Sequence, residues 1–280
     1  MKNFVSCEYL YSNLNNENLI VIDCRFDLFD KDFGRNAYLK EHIQNAFYLD
    51  VNEDLAGEVQ IHGGARPVPN IDILSNKLKH FGVNNDSTII LYDTNTYSSS
   101  RAFWQLKNLG FDKVFILNGG YSEWKKLNYP ISFNSTVSTV VGDFKPKIDN
   151  SIYADIDYIK DALNDSSKIL VDSRPFERFT GEVEPLYSKK GHIPTSFNLH
   201  WEKNIDAQGK IVSLDLLKSN FEFVKSYSEV IVYCGSGIDG AMNFVILDEL
   251  GYKARLYVGS MSDWISYDEN EVETGYSNLY

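Results

Sequence analysis

The 280-residue sequence predicts an α/β protein of two tandem domains, each a mainly parallel sheet flanked by helices. The first observation behind this is an internal repeat of four blocks in the same order. VIDCR at 21–25 returns as LVDSR at 170–174, and EHIQNAFYLD at 41–50 as GHIPTSFNLH at 191–200. IILYDTNTYSSSRAFWQLKNLGF at 89–111 returns as VIVYCGSGIDGAMNFVILDELGY at 230–252, and FILNGGYSEW at 115–124 as RLYVGSMSDW at 255–264. The second observation is that short β-branched runs alternate with stretches of helical period, the pattern of parallel strands joined by right-handed crossovers. The third is size: 280 residues, 43% of them apolar, suit two ordinary cores.

Taken in order through the second half, KILVD reads as a strand, IVSLDLLKSNFEFVKS as a helix and EVIVY as a strand. DGAMNFVILDEL then reads as a helix and ARLYV as a strand. Phe244, Leu247 and Leu250 match Phe103, Leu106 and Leu109 of the first half, one apolar stripe at steps of three that packs on a sheet. Residues 133–149, rich in Ser and Thr and carrying Gly142 and Pro146, are the expected linker between domains 1–132 and 150–280. The tail ETGYSNLY is expected to fray or lie on the surface.

Twenty-seven basic against 39 acidic residues give a formal charge of −12. That excludes nucleic acid and anionic membrane as expected partners, since both require neutralisation of phosphates. The aromatic residues form no stacking stripe for a nucleic acid. An anionic small substrate then needs local positive charge. Cys7, Cys24 and Cys234 make no C-x-x-C pair, and an odd count argues against a disulfide framework. The N-terminus lacks an apolar signal segment and no run is long enough to span a membrane, so a cytoplasmic location is expected.

The stretch YCGSGIDG at 233–240 admits two readings. Gly235, Gly237 and Gly240 match the G-x-G-x-x-G dinucleotide pattern. That pattern needs an acidic residue at the end of the next strand, and ARLYV ends in Gly259-Ser260. The alternative is a cysteine at the carboxyl end of a strand, with a loop whose amides curl inward as an anion nest before a helix. Nest and helix dipole both favour the thiolate, which is the nucleophile. A buried core thiol is the plain alternative, but a packed strand end does not need three glycines. A phosphatase loop, C-x5-R, requires an arginine where Gly240 stands, and Asp239 repels a dianion.

With a cysteine loop only in its second half, the tandem repeat resembles a two-domain rhodanese. Within that superfamily CGSG is similar to the 3-mercaptopyruvate sulfurtransferase loop more than to that of thiosulfate sulfurtransferases. DSRPFERFTGEVEP, GHIPTSFNL, YCGSG, LYVGSMSDW and ETG fall in the family's order over nearly the whole chain. The resemblance implies sulfur transfer from 3-mercaptopyruvate or thiosulfate through a Cys234 persulfide, with no metal or organic cofactor. It implies a small anionic donor, and as acceptor cyanide, a thioredoxin-like protein or a low-molecular-weight thiol.

Carried over residue by residue, the catalytic residue is Cys234, and the amides of Gly235, Ser236, Gly237, Ile238, Asp239 and Gly240 hold the charge. Arg178 matches an arginine that binds the donor's anionic group; its plain alternative is a surface salt bridge. The place of a second family arginine is Tyr187, with Lys189 and Lys190 nearby. IHGGARP at 61–67 resembles a loop that reaches the site in related sequences, with His62 to relay a proton and Arg66 to bind the anion. Asp239 departs from the small neutral residue usual there. It is expected to cap the following helix, to raise the Cys234 pKa and to slow transfer from thiosulfate. Asp93 stands at the Cys234 place of the first half, which is therefore expected to be non-catalytic. The repeated pairs Asp23-Arg25 and Asp172-Arg174 are expected to serve the fold, and Cys7 and Cys24 to pack. A rhodanese-like binding or regulatory module, or a carrier passing persulfide to a protein, is the competing function.

Overall fold

The computed structural model of the protein describes residues 1–276. The described residues separate into two compact units, the first of residues 1–57, 68–149 and 205–212, the second of 58–67, 150–204 and 213 onward. Packing therefore follows the repeat except at two short segments, 58–67 and 205–212, each of which packs with the unit formed by the other half. Residues 133–149 run along the first unit: Gly142 N–H donates to Lys79 O, and Lys147 and Asp149 amides to Leu109 and Asn108 carbonyls. Phe144 is buried there against Phe111.

In the first unit the elements are β1 (Phe4–Val5), α1 (Cys7–Asn13), β2 (Leu19–Asp23), α2 (Phe33–Lys40), β3 (His42–Ile43) and β4 (Phe47–Tyr48). There follow α3 (Ile71–His80), β5 (Thr88–Tyr92), α4 (Ser99–Asn108), β6 (Val114–Leu117), α5 (Gly120–Lys126) and β7 (Ile131–Ser132). Five strands form a sheet in the order β1-β6-β5-β2-β4 with every pairing parallel. β3 and β7 pair antiparallel beside it. Ile20, Val21, Ile22 and Ile89, Ile90, Leu91 are buried, as strands covered on both faces must be.

The second unit repeats this. Its elements are β8 (Tyr153–Ala154), α6 (Ile156–Ala162), β9 (Lys168–Asp172), α7 (Phe176–Thr180) and β10 (Phe197–Asn198). α8 (Leu214–Asn220), β11 (Glu229–Tyr233), α9 (Asp239–Leu250), β12 (Ala254–Tyr257) and α10 (Ser260–Trp264) complete it. The parallel sheet β8-β12-β11-β9-β10 has the same strand order as the first, element for element. The segment expected as one helix over 211–226 is shorter. Ser213 accepts a hydrogen bond from Leu216 N–H as the cap of α8, and a 3-10 turn over Glu222–Ser226 follows Phe221. Of the tail, residues 277–280 lie outside the described residues. No helix among the described residues is long and apolar enough to cross a membrane.

Both repeated Asp-x-Arg pairs lie inside the units. Arg174 Nη2 donates to Asp172 Oδ2 at 2.6 Å and to Gly191 O at 2.7 Å, and Arg25 makes the same bonds to Asp23 and to Glu41 O. Each guanidinium thus ties the end of a central strand to the segment before the next one. Breaking such a buried pair by removing one partner costs about 3–5 kcal/mol.

Candidate active site

β11 ends at Tyr233, and the chain turns through residues 234–238 into α9 at the carboxyl ends of parallel strands. The turn into α10 fixes the loop's shape. Met261 N–H donates to Cys234 O and Ser262 N–H to Gly235 O, both at 3.0 Å. With those carbonyls drawn outward, the following amides are free to face the sulfur. Gly237, in the left-handed region at φ +80°, donates its N–H to Cys234 Sγ at 3.1 Å.

Cys234 is 1% exposed. Burial pushes its pKa above the ordinary thiol value, and the Asp239 carboxylate pushes the same way. The amides of Gly240, Ser236 and Gly237 pull it down. Of the six amides expected to form the cradle, three pull the pKa down and those of Gly235, Ile238 and Asp239 do not, and removal from water outweighs the three, so that at neutral pH the resting sulfur is a thiol.

Asp239 occupies the first turn of α9, not its cap. Ile238 is the cap residue and no side chain caps the helix, because the loop has already turned to αR at Ile238. Ile238 is buried and anchors the loop by its apolar side chain. Asp239 is half-buried and lies within electrostatic reach of both Cys234 and His200.

Ser260 is a site residue the sequence reading missed. Its Oγ accepts the Cys234 N–H at 3.1 Å, donates to Tyr257 O at 2.8 Å and lies 3.9 Å from Sγ. Its φ is +56°, the value also held by Gly120 at the equivalent place of the first unit. The signal was the repeat itself, Gly119-Gly120 against Gly259-Ser260. A serine held in a conformation that glycine prefers has its hydroxyl committed to the cysteine backbone.

Arg178 grips Glu184: Nε donates to Oε2 at 3.1 Å and Nη2 to Oε1 at 2.7 Å. The ion pair was the alternative reading of this arginine. Glu184 also accepts from Arg174 Nη1 at 3.1 Å and from Leu186 N–H at 2.9 Å. Nη1 of Arg178 makes no hydrogen bond among the described residues. Lys189 points elsewhere, its Nζ 3.4 Å from Asp268 O.

Segment 58–67 belongs to the second unit, and it brings Arg66 to the loop. Arg66 Nη1 donates to Ser236 Oγ at 2.9 Å. Gly63 N–H donates to Asp263 Oδ1 and Ala65 N–H to Ser262 Oγ, fixing the segment on α10. His62 instead meets Ser266 Oγ through Nδ1 at 2.8 Å and stacks on Tyr267. Ser266 gives its hydrogen to Asp263 O, so Nδ1 of His62 is the donor. His62 is exposed and its bonded partner is Ser266, not a residue of the cysteine loop.

The sister loop shows what such a turn holds. Tyr121 and Ser122 amides draw the carbonyls of Asp93 and Thr94 outward, as their counterparts do in the second unit. The Asp93 carboxylate fills the resulting nest, accepting from Asn95 N–H at 2.9 Å and from Tyr97 and Ser99 N–H, each at 2.7 Å. A carboxylate thus stands at the repeat position of Cys234, and two of the three amides that hold it, those of Asn95 and Ser99, correspond to those of Ser236 and Gly240 at the sulfur. The remaining thiols pack as expected: Cys7 and Cys24 are buried, and burial pushes Cys7 up to about 12.

Comparison with known proteins matches this architecture. The rhodanese-like domain model matches residues 6–127 and 155–267. A probable 3-mercaptopyruvate sulfurtransferase of Pseudomonas aeruginosa is 33% identical over 97% of this chain and 98% of that protein. A putative thiosulfate sulfurtransferase of Mycobacterium tuberculosis is 29% identical over 91% of this chain and 90% of its own. The crystal structure of the Escherichia coli 3-mercaptopyruvate sulfurtransferase superposes with a TM-score of 0.83 at 26% identity, covering 94% of this chain and all of that one. Both halves of the repeat are matched separately and in order, and the chain belongs to the rhodanese-like family, with two such domains in tandem.

Proposed function

We propose that the protein is a sulfurtransferase that takes a sulfane sulfur from a small anionic donor, 3-mercaptopyruvate or thiosulfate, onto Cys234. The observation that carries this reading is the ring of loop amides around Cys234 Sγ, matched by a sister loop already filled by an anion. A thiol buried and raised in pKa is a poor resting nucleophile, whereas a persulfide anion in the same place has its charge met by the amides of 236, 237 and 240.

With 3-mercaptopyruvate the Cys234 sulfur bonds to the donor sulfur as the C–S bond breaks, and the electron pair stays on carbon as the pyruvate enolate. Of the two thiol hydrogens that Cys234 and the donor bring, one ends on that carbon and the other leaves to solvent as a proton, giving pyruvate and the Cys234 persulfide anion. With thiosulfate the Cys234 sulfur, its proton released to solvent, bonds to the outer sulfur as the S–S bond breaks, and that bond's pair leaves with sulfite. An acceptor thiolate or cyanide then bonds to the outer sulfur and returns the Cys234 thiolate. Arg178 through Nη1 and Arg66 beside Ser236 supply the cations that hold the donor. Low-molecular-weight thiols, a thioredoxin-like protein or cyanide are the acceptors, in the cytoplasm, where three unpaired buried cysteines are stable.

Intact-mass measurement after incubation with each donor tests this. A gain of one sulfur that disappears in Cys234→Ser is expected, and no gain with either donor overturns the reading.

A further inference from the structure

Tyr187 stands against the catalytic loop without a role in what has been described. A methyl group placed on Gly235 would lie 2.9 Å from the Tyr187 phenol oxygen, so that oxygen is in contact with the residue directly after Cys234. Its ring lies under the Arg178 guanidinium, 5.4 Å from centroid to Cζ. The carboxylate that grips Arg178 also accepts the Leu186 N–H, folding the turn that presents Tyr187. Arg174, Glu184, Arg178 and Tyr187 therefore form one connected support running from the buried strand end to the loop.

The phenol O–H makes no hydrogen bond among the described residues. Burial and the nearby Cys234 push its pKa up, while Arg178 and Arg66 oppose this, so it carries its proton at neutral pH. A cation above the ring withdraws electron density and strengthens the phenol as a donor. Lys189, the neighbouring cation, is turned to the carbonyls of Tyr267 and Asp268 and does not serve this place.

Resting on the sulfurtransferase reading, we propose that Tyr187 is a catalytic hydrogen-bond donor to the 2-oxo oxygen of a 3-mercapto-2-oxo acid, while Arg178 Nη1 holds the adjacent carboxylate. The C–S bond breaks with its electron pair moving onto C3, and the negative charge of the enolate gathers on the 2-oxo oxygen. The phenol hydrogen bond strengthens as that charge grows, which lowers the barrier. The proton stays on Tyr187, and C3 receives the thiol hydrogen already counted. Thiosulfate has no such oxygen; its charge leaves on sulfite directly beside the attacked sulfur. Tyr187 thus favours the oxo acid.

Steady-state kinetics of Tyr187→Phe with both donors test the assignment. Expected is a fall in kcat with 3-mercaptopyruvate of about 10–100-fold, with KM and thiosulfate turnover each within about threefold of the parent. Equal losses with both donors indicate a merely structural role and overturn the proposal, as does an unchanged kcat. Tyr187→His, which keeps a ring and an N–H donor at this place, is expected to retain a higher ratio of 3-mercaptopyruvate to thiosulfate turnover than Tyr187→Phe, and equal ratios in the two variants overturn the proposal. A parent protein that acquires no persulfide from either donor refutes the underlying sulfurtransferase reading instead.

Discussion

Replacing Asp239 by threonine removes a carboxylate that raises the pKa of Cys234. A like charge within about 10 Å in an effective dielectric of about 20–40 repels by ~1–2 kcal/mol, or about one pH unit. Below both pKa values the thiolate fraction grows tenfold for each unit by which the pKa falls, so at pH 7 the variant holds about ten times more thiolate. Its thiolate is also less basic and attacks more slowly, by about threefold for a Brønsted slope near 0.45. A net gain of about three- to fourfold in persulfide formation remains with a monoanionic donor. The gain is larger with dianionic thiosulfate, which also loses its repulsion from the carboxylate. Stopped-flow alkylation of Cys234 against pH is expected to show the rising limb moved about one unit toward acid. A limb within 0.3 unit of the parent, or a smaller gain for thiosulfate than for 3-mercaptopyruvate, refutes the charge argument. The variant gives up a favourable charge at the start of α9, worth about 0.3–1 kcal/mol, so thermal unfolding is expected to fall slightly.

In the first unit, Asp93→Ala leaves three loop amides without their acceptor. A loss of about 2–4 kcal/mol in urea-unfolding free energy is expected, and a change under about 0.5 kcal/mol contradicts the self-filled nest. Burial pushes the His192 pKa below its ordinary 6.5, against the weaker opposing pull of the Phe179 carbonyl it bonds, of Asp172 and of Glu273. The unfolded chain then binds a proton that the folded one refuses, so stability is full above pH ~6.5 and falls as pH drops toward the lower folded value, by at most about 1.4 kcal/mol per unit. His192→Gln is expected to flatten that part of a stability-against-pH curve, and an unaltered slope sinks the assignment.

Residues whose roles depend on near neighbours were legible in the sequence. Cys234 and its glycines share one turn, so strand end, nest and helix start follow from seven consecutive residues. The Asp-x-Arg pairs were recognisable as structural because they recur in both halves, and each bonds within two residues. The conformation of Ser260 was half-visible, since its repeat partner is Gly120.

By itself the sequence determined the tandem parallel-sheet architecture, because repeat, strand runs and helical period are local patterns whose burial is dictated residue by residue. Tertiary structure alone decided which side chains meet at the sulfur. Tyr187 reaches Gly235, Arg66 reaches Ser236 and Glu184 restrains Arg178 from irregular segments whose direction no local propensity sets. It likewise decided that Cys234 rests as a thiol. Loop amides favour the thiolate in any folded form of CGSGIDG, but the larger cost of removing the charge from water exists only once the unit has packed around it.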